Sequence, residues 1–138
     1  AILFNHDSIF RNKKFILPRI MVALIKKDYT FLNEVIKANI FSDFSHAEDI
    51  CYGLSKIMFG EGNPDKLILS SGKKTSINNI IKYIIKKNKL HLNINLTKPI
   101  NKKTLIGNNR LANQMLNWSA KKNVYIAADE IYKFMVNK

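Results

Sequence analysis

Apolar and polar positions along this chain switch period several times, from strand-like to helix-like and back, with no internal repeat and no low-complexity stretch. Such switching predicts an α/β or α+β domain. Ala1 to Asn5 is a short apolar run without a turn residue, which predicts a buried strand starting abruptly at the first residue, as in a piece cut from a longer protein. From Pro18 to Lys27 the residues Ile20, Met21, Leu24 and Ile25 recur at helical spacing. Pro18 suits a first turn, because its missing N–H has no intrahelical partner there anyway. Ser45-His46-Ala47-Glu48 reads as a capping box, in which the serine hydroxyl accepts from a backbone N–H and the glutamate reaches back. The helix it opens carries Ala47, Ile50, Cys51, Leu54, Ile57 and Met58 on one stripe and ends at Gly60 and Gly62.

Further on, Lys66 to Ser70 predicts a strand, Ser71-Gly72-Lys73-Lys74 a turn, and Ser76 a helix cap. The helix behind Ser76 buries Ile77, Ile80, Ile81, Ile84 and Ile85 and points Lys82, Lys86 and Lys87 outward. His91 to Leu96 alternates polar and apolar residues with period two, the pattern of a half-buried strand. After Pro99, Asn108 caps a short helix ending near Leu116, and a last helix runs from about Val124 to Val136. No linker divides the 138 residues.

Length and composition narrow the class. A chain of this size buries roughly 70% of the surface its unfolded form exposes, so it can build a core without disulfides or metal clips. With 46% hydrophobic residues it is not a disordered chain. The single Cys51 forms no internal disulfide and has no second cysteine for a zinc or redox pair, which suits a reducing compartment, so the cytoplasm is expected. No apolar run reaches the roughly 18 residues of a membrane span, and the N-terminal residues lack a signal-peptide layout.

The net charge of +13 points first to nucleic acid. Yet 20 of the 23 cations are lysines, and Arg11, Arg19 and Arg110 are the only arginines. Together with 17 asparagines and many isoleucines, this is the mix an AT-rich coding sequence produces. Arginine bonds guanine and phosphate with a planar fork, whereas lysine is a point charge, so a lysine surplus predicts a solvated surface without specific readout.

Catalytic signals are sparse. There is no glycine-rich phosphate loop after a strand, no paired Cys/His metal spacing and no Gly-x-Ser-x-Gly elbow. His6, His46 and His91 are scattered. Tyr52 with Lys56 and Tyr83 with Lys87 have the Tyr-x-x-x-Lys spacing that puts phenol and ammonium on one helix face. In a chain with five tyrosines and this many lysines such spacings arise by chance, and neither pair accompanies a dinucleotide-binding strand.

Specific strings carry a resemblance. Leu3-Phe4-Asn5-His6-Asp7-Ser8, with Arg11 and then Phe15-Ile16, is similar to the "LFNHES…R…F" segment of GDP-mannose 4,6-dehydratases, in the extended short-chain dehydrogenase/reductase superfamily. Asp43-Phe44-Ser45-His46-Ala47-Glu48-Asp49 resembles that family's "DWGHAxD", and Ser71-Gly72 through Ser76 to Ile80 its "TG…SVxEF". Leu105-Ile106-Gly107-Asn108 with Ala112, Leu116 and Trp118 resembles "LxGDPxKAxxxLGW". The motifs come in family order and cover only the family's C-terminal half.

The resemblance implies an α/β fold: residues 1–138 as the nucleotide-sugar-binding portion, helices with a few short strands, and the Rossmann domain absent. In such enzymes the other half supplies NADP, the Tyr-x-x-x-Lys pair, and the Thr and Glu that assist hydride transfer and loss of water. The family oxidises the hexose at C4, eliminates water across C5 and C6, and returns the hydride to C6, giving GDP-4-keto-6-deoxymannose. It follows that this chain holds no catalytic, cofactor or metal residue of its own and is inactive alone. Its partners would be a GDP-sugar or other nucleotide sugar, the Rossmann half and, as an option, further copies of itself, with no membrane and no specific nucleic acid. Asn5 matches the family asparagine that contacts the sugar nucleotide, Arg19 a Lys or Arg near base and ribose, and Arg11 a second arginine. Three positions depart: Ser42 replaces the arginine before "DWGHA", Lys98 the arginine of "RPxE", and Asn101 its glutamate. Lysine for arginine keeps the charge and loses the fork, while serine loses the cation. The alternatives are another nucleotide-sugar epimerase or reductase, a non-catalytic basic binding module, or a degenerate relic. If the lysines are only a solvated surface, duplex DNA or RNA should bind weakly in an electrophoretic or anisotropy assay, and binding should vanish by roughly physiological salt as counterion release requires. Sequence-selective nanomolar binding at that salt would favour the nucleic-acid reading.

Overall fold

The computed structural model describes residues 1–60 and 65–137. In chain order they form β1 (Ile2–Leu3), β2 (Asn5–Asp7), α1 (Ile16–Lys26), α2 (Tyr29–Ala38), β3 (Phe41–His46), α3 (Ala47–Phe59), β4 (Ile68–Leu69), β5 (Lys74–Ser76), α4 (Ile77–Lys87), α5 (Arg110–Leu116) and α6 (Val124–Val136). The architecture is α/β, helices with a few short strands. β1 pairs in parallel with β4, and β3 lies between β2, parallel, and β5, antiparallel.

Two apolar clusters hold these layers. In the larger one Leu17, Ile20 and Met21 of α1, Leu32 of α2, Ile77, Ile80, Ile81 and Ile84 of α4 and Ile131 of α6 are all sealed from solvent. Each such side chain contributes about 1.5–3 kcal/mol on burial, so this helical layer is the main store of stability. The smaller cluster joins Ile50, Leu67, Leu69, Ala112 and Trp118, with Trp118 Nε1 donating to Asp49 O at 2.9 Å. The carboxylate of Asp49 also accepts from Lys121 N at 2.9 Å and Lys122 N at 2.7 Å, clipping the segment before α6 onto α3.

Several expectations change in detail. The first helix begins at Ile16, two residues before Pro18, and ends at Lys26, one residue short of Lys27, which caps it with a φ of 55° in the left-handed region. The helix α2 was not anticipated, although Asp28 caps it by accepting from Phe31 N at 3.1 Å and Leu32, Val35 and Ile36 face the core. Ser45 does not cap α3, because it sits inside β3. His46 takes that place, its Nδ1 accepting from Glu48 N at 3.1 Å. Of the α3 stripe only Ile50 is buried; Leu54 and Ile57 are half-buried, and Cys51 and Met58 are exposed, because Trp118 packs over the Gly53 face instead. Gly60 ends the helix as expected, while Gly62 lies outside the described residues.

The predicted strand at 66–70 shrinks to Ile68–Leu69, and the turn at 71–74 leads into β5. Ser76 stands at the cap of α4 without a side-chain bond. Segment 91–96 forms no ladder, yet its exposure alternates as predicted, with Leu92, Ile94 and Leu96 packing against the larger cluster. Asn109 is the cap residue of α5, and Asn108 Oδ1 accepts from Arg110 N at 3.1 Å. The last helix runs from Val124 to Val136 as predicted. Ala1 to Asn5 is not buried: Ile2 is 50% and Leu3 40% exposed, since β4 covers one edge of β1 only.

A Cβ on Gly53 would lie 2.9 Å from Leu69 Cδ1 and 3.0 Å from the Trp118 indole. Both neighbours are buried and have little room to yield, so Gly53→Ala should destabilise the fold by about 1–3 kcal/mol in urea unfolding, as overpacking does. An unchanged midpoint would mean that the Trp118 cluster is loosely packed.

Candidate functional site

Asp43 is the acidic residue of β3, and it is completely buried. A carboxylate out of water costs several kcal/mol unless it is fully bonded. Here Oδ1 accepts from Ser71 N at 3.0 Å and Ser71 Oγ at 2.5 Å, while Oδ2 accepts from Gly72 N at 3.0 Å and Gly107 N at 3.1 Å. Gly72 has φ +69°, which favours glycine. At Gly107 a Cβ would come within 2.4 Å of Ser70 Cβ. Two loops, at 71–74 and 101–107, are thereby fastened to one strand.

The expected binding residues fall into two groups around this anchor. Asn5 on β2 donates through Nδ2 to Ser42 Oγ at 2.7 Å and, more weakly, to Asp43 O at 3.4 Å. Lys74 opposes Asp43 in the β3–β5 register and donates from Nζ to Asn101 Oδ1 and to Lys102 O, with the ammonium 4.8 Å from the Phe41 ring centre. Asn5, Ser42 and Asn101 therefore gather about β3. Lys98 is exposed and lines an adjoining groove of about 350 Å³ with Asn39 and Ile100, where Asn39 Nδ2 donates to Ile100 O at 2.6 Å.

Arg11 and Arg19 are engaged elsewhere. The Arg11 guanidinium lies 3.5 Å from the Phe15 ring centre and 3.7 Å from Asp7 Oδ1, and that of Arg19 lies 4.2 Å from the Phe31 ring centre. Neither is hydrogen-bonded to Asn5, Ser42, Lys98 or Asn101. Sequence reasoning passed over Asp43 and Lys74 as site residues. Asp43 left two signals, as the residue that opens the family-like string at 43–49 and as an acid in a short run of aromatic and hydroxyl residues. Lys74 left none, being one lysine among many.

Several other titratable groups make structural bonds. His46 Nε2 lies 2.9 Å from Glu130 Oε2; since Nδ1 accepts the cap bond, Nε2 carries the proton. Lys87 Nζ donates to Tyr83 OH at 2.9 Å and to Asp129 Oδ2 at 3.0 Å, so this Tyr-x-x-x-Lys pair helps to pin α4 to α6. Lys56 lies 5.3 Å from the Tyr52 ring centre with no bond to its hydroxyl. Among the described residues no group of three or more His, Cys, Asp or Glu is placed to hold a metal. A dinucleotide does not fit them either: α3 follows β3 and α4 follows β5 with no glycine loop between. Glu48 and Asp49 in the first turn of α3 would repel a pyrophosphate.

Several solved structures share this fold with the chain. They include RMD from Pseudomonas aeruginosa complexed with NADPH (13% identity, TM-score 0.69, covering 96% of this chain and 45% of that one). A dTDP-glucose 4,6-dehydratase from Bacillus anthracis in complex with NAD aligns at TM-score 0.75 with 9% identity, over 99% of this chain and 43% of that one. A UDP-glucuronic acid 4-epimerase from Bacillus cereus in complex with UDP-glucuronic acid and NAD gives TM-score 0.75 and 14% identity, over 98% and 44%. This chain spans less than half the length of each. No curated protein matches the sequence. The family model for GDP-mannose 4,6 dehydratase matches residues 1–131, and the chain belongs to that family.

Two carboxylates give opposite pH signatures. Burial pushes Asp7 above its ordinary 3.8, with Arg11 and His6 opposing only in part. The stability tied to that raised value is fully present below 3.8 and is lost as pH rises through the folded value. Asp129 is also raised by burial, but Lys133 and Lys87 outweigh this and hold it below 3.8. Its contribution is present above 3.8 and is lost as pH falls through the folded value. In thermal melts Asp7→Asn should therefore raise Tm at neutral pH and Asp129→Asn should lower it, and both differences should close in strong acid. The same sign for both variants at neutral pH would contradict the assignment.

Proposed function

We propose that this chain is the substrate-binding half of a nucleotide-sugar dehydratase, working with a dinucleotide-binding half that holds NADP and the catalytic groups. The observation that carries the reading is the gathering of Asn5, Ser42, Lys74 and Asn101 around β3 within the stretch that matches the family. The edge of β1 supports the two-half arrangement. Parallel strands are nearly always buried between layers, and β1 bonds β4 on one side while exposing Ile2 and Leu3. NADP would supply the hydride chemistry. The residues here would bind and orient: Asn5 offers an amide to a sugar hydroxyl, and the ammonium groups of Lys74 and Lys98 complement a diphosphate. GDP-mannose is the substrate this reading favours, with the dehydrated 4-keto sugar as product. No helix among the described residues is long and apolar enough to cross a membrane, and an exposed, unpaired Cys51 suits the cytoplasm.

A second reading, a relic that has lost its site, draws on Ser42 in place of a cation and on Arg11 and Arg19 stacked upon Phe15 and Phe31. Calorimetric titration separates the two. GDP-mannose should bind the chain, and Lys98→Ala should weaken it by the roughly 1.5–3 kcal/mol of a charge-assisted hydrogen bond, about tenfold or more. The purified chain given GDP-mannose and NADP should show no turnover. Absence of binding for GDP-, UDP- and dTDP-sugars, even with a dinucleotide-binding half supplied in trans, would establish the relic.

A further inference from the structure

We propose that Asp43 is the positioning residue of this site: its buried carboxylate sets two loops against one strand, so that sugar-nucleotide affinity depends on a side chain the ligand cannot reach. The ligand in this inference rests on the nucleotide-sugar reading; the tie between the loops does not. Asp43 is 0% exposed, so it makes no contact with anything bound outside. Its effect must travel through the groups it holds. One loop delivers Lys74 at the start of β5, and the other delivers Asn101, and the two meet where Lys74 Nζ donates to Asn101 Oδ1 and Lys102 O. Oδ2 is shared by Gly72 N of the first loop and Gly107 N of the second, making a single atom their common reference. The loops have further ties that leave their amides at Asp43 untouched: Thr104 Oγ1 donates to Phe41 O at 2.9 Å, Asn109 Nδ2 to Ser70 O at 3.0 Å and Lys102 Nζ to Ala38 O at 3.1 Å, and β5 pairs with β3.

The chemistry needs a carboxylate. Two oxygens with no proton between them accept four donors, whereas an asparagine of the same shape turns one oxygen into a donor. If that NH2 takes the Oδ1 position, the Ser71 hydroxyl can reverse to accept, but Ser71 N is orphaned. If it takes the Oδ2 position, it faces Gly72 N and Gly107 N together. Either arrangement loosens a loop, while the helical layer of α1, α4 and α6 is untouched.

The test uses the full chain as wild type, Asp43→Asn and Ile20→Val, the last a destabilised control in the helical layer, away from both loops. Amide hydrogen exchange is followed by NMR at Ser71, Gly72 and Gly107, and GDP-mannose is titrated by calorimetry. Asp43→Asn should speed exchange at one or more of these amides by about tenfold, leave α1 and α4 amides unchanged, and weaken GDP-mannose by about tenfold or more, the loss of a hydrogen bond to a charged group. Ile20→Val should bind as wild type does. If Asp43→Asn does not fold, Ser71→Ala, which removes one donor of the four, should give the same pattern more weakly. Unchanged exchange at all three amides, unchanged affinity, or equal weakening by Ile20→Val would overturn the proposal. Wild type that binds no GDP-, UDP- or dTDP-sugar while Asp43→Asn speeds the loop amides would overturn the functional reading and uphold the tie between the loops.

Discussion

A carboxylate carries no proton of its own at neutral pH and can collect N–H groups from several directions, and the arrangement around β3 depends on Asp43 doing so. Without it, the amides of Ser71, Gly72 and the buried Gly107 would turn toward the strand with nothing there to accept them. The glycines are needed as much as the acid. A side chain at Gly107 would strike Ser70, and Gly72 holds a left-handed turn that lets its N–H face the carboxylate. The loops that bring Lys74 and Asn101 to the strand can approach only because these positions are bare.

A second buried acid repeats the device at lower density. Asp49 takes two consecutive amides, Lys121 and Lys122, on one oxygen, and its carbonyl receives the Trp118 indole. This joins the small cluster under α3 to the start of α6, whose far face belongs to the large helical cluster. The two clusters are thus linked by polar bonds at β3 and α3 rather than by one continuous apolar core. The division leaves a stable helical layer and, beside it, a strand platform whose loops are set by hydrogen bonds. Most lysines lie on the exposed faces of this structure, and Lys74 and Lys87 acquire defined acceptors only because loops or helices bring carbonyl, amide, phenol or carboxylate oxygens to them.

Most of the α-helical half was legible in the sequence. The isoleucine stripe of α4 is long and periodic, so Ile77, Ile80, Ile81 and Ile84 are buried as predicted, with Ile85 only half-buried at the edge of the stripe, and the last helix keeps its predicted bounds from Val124 to Val136. The family strings were legible too, because they are chemical identities in order. What failed to show was short or two-sided. Residues of β3 are buried on both faces, so Phe41 to His46 gives no alternation to read, and the serine that looked like a helix cap is a strand residue. The helix α2 has the Asp28 cap and correct spacing but only three buried residues, a weak pattern beside its neighbours.

The sequence by itself determined the helical layer, the family, the absence of a glycine phosphate loop and the positions where candidate residues depart from the family pattern. It did so because periodicity and residue identity are local properties. Only the tertiary structure decided which candidates meet. Asn5 reaches Ser42 across a strand pair and Lys74 reaches Asn101 between loops, while Arg11 and Arg19 settle on nearby aromatic rings. The role of Asp43 belongs wholly to that second level, since a buried carboxylate is defined by donors that come from loops distant in sequence and are brought to it only by folding.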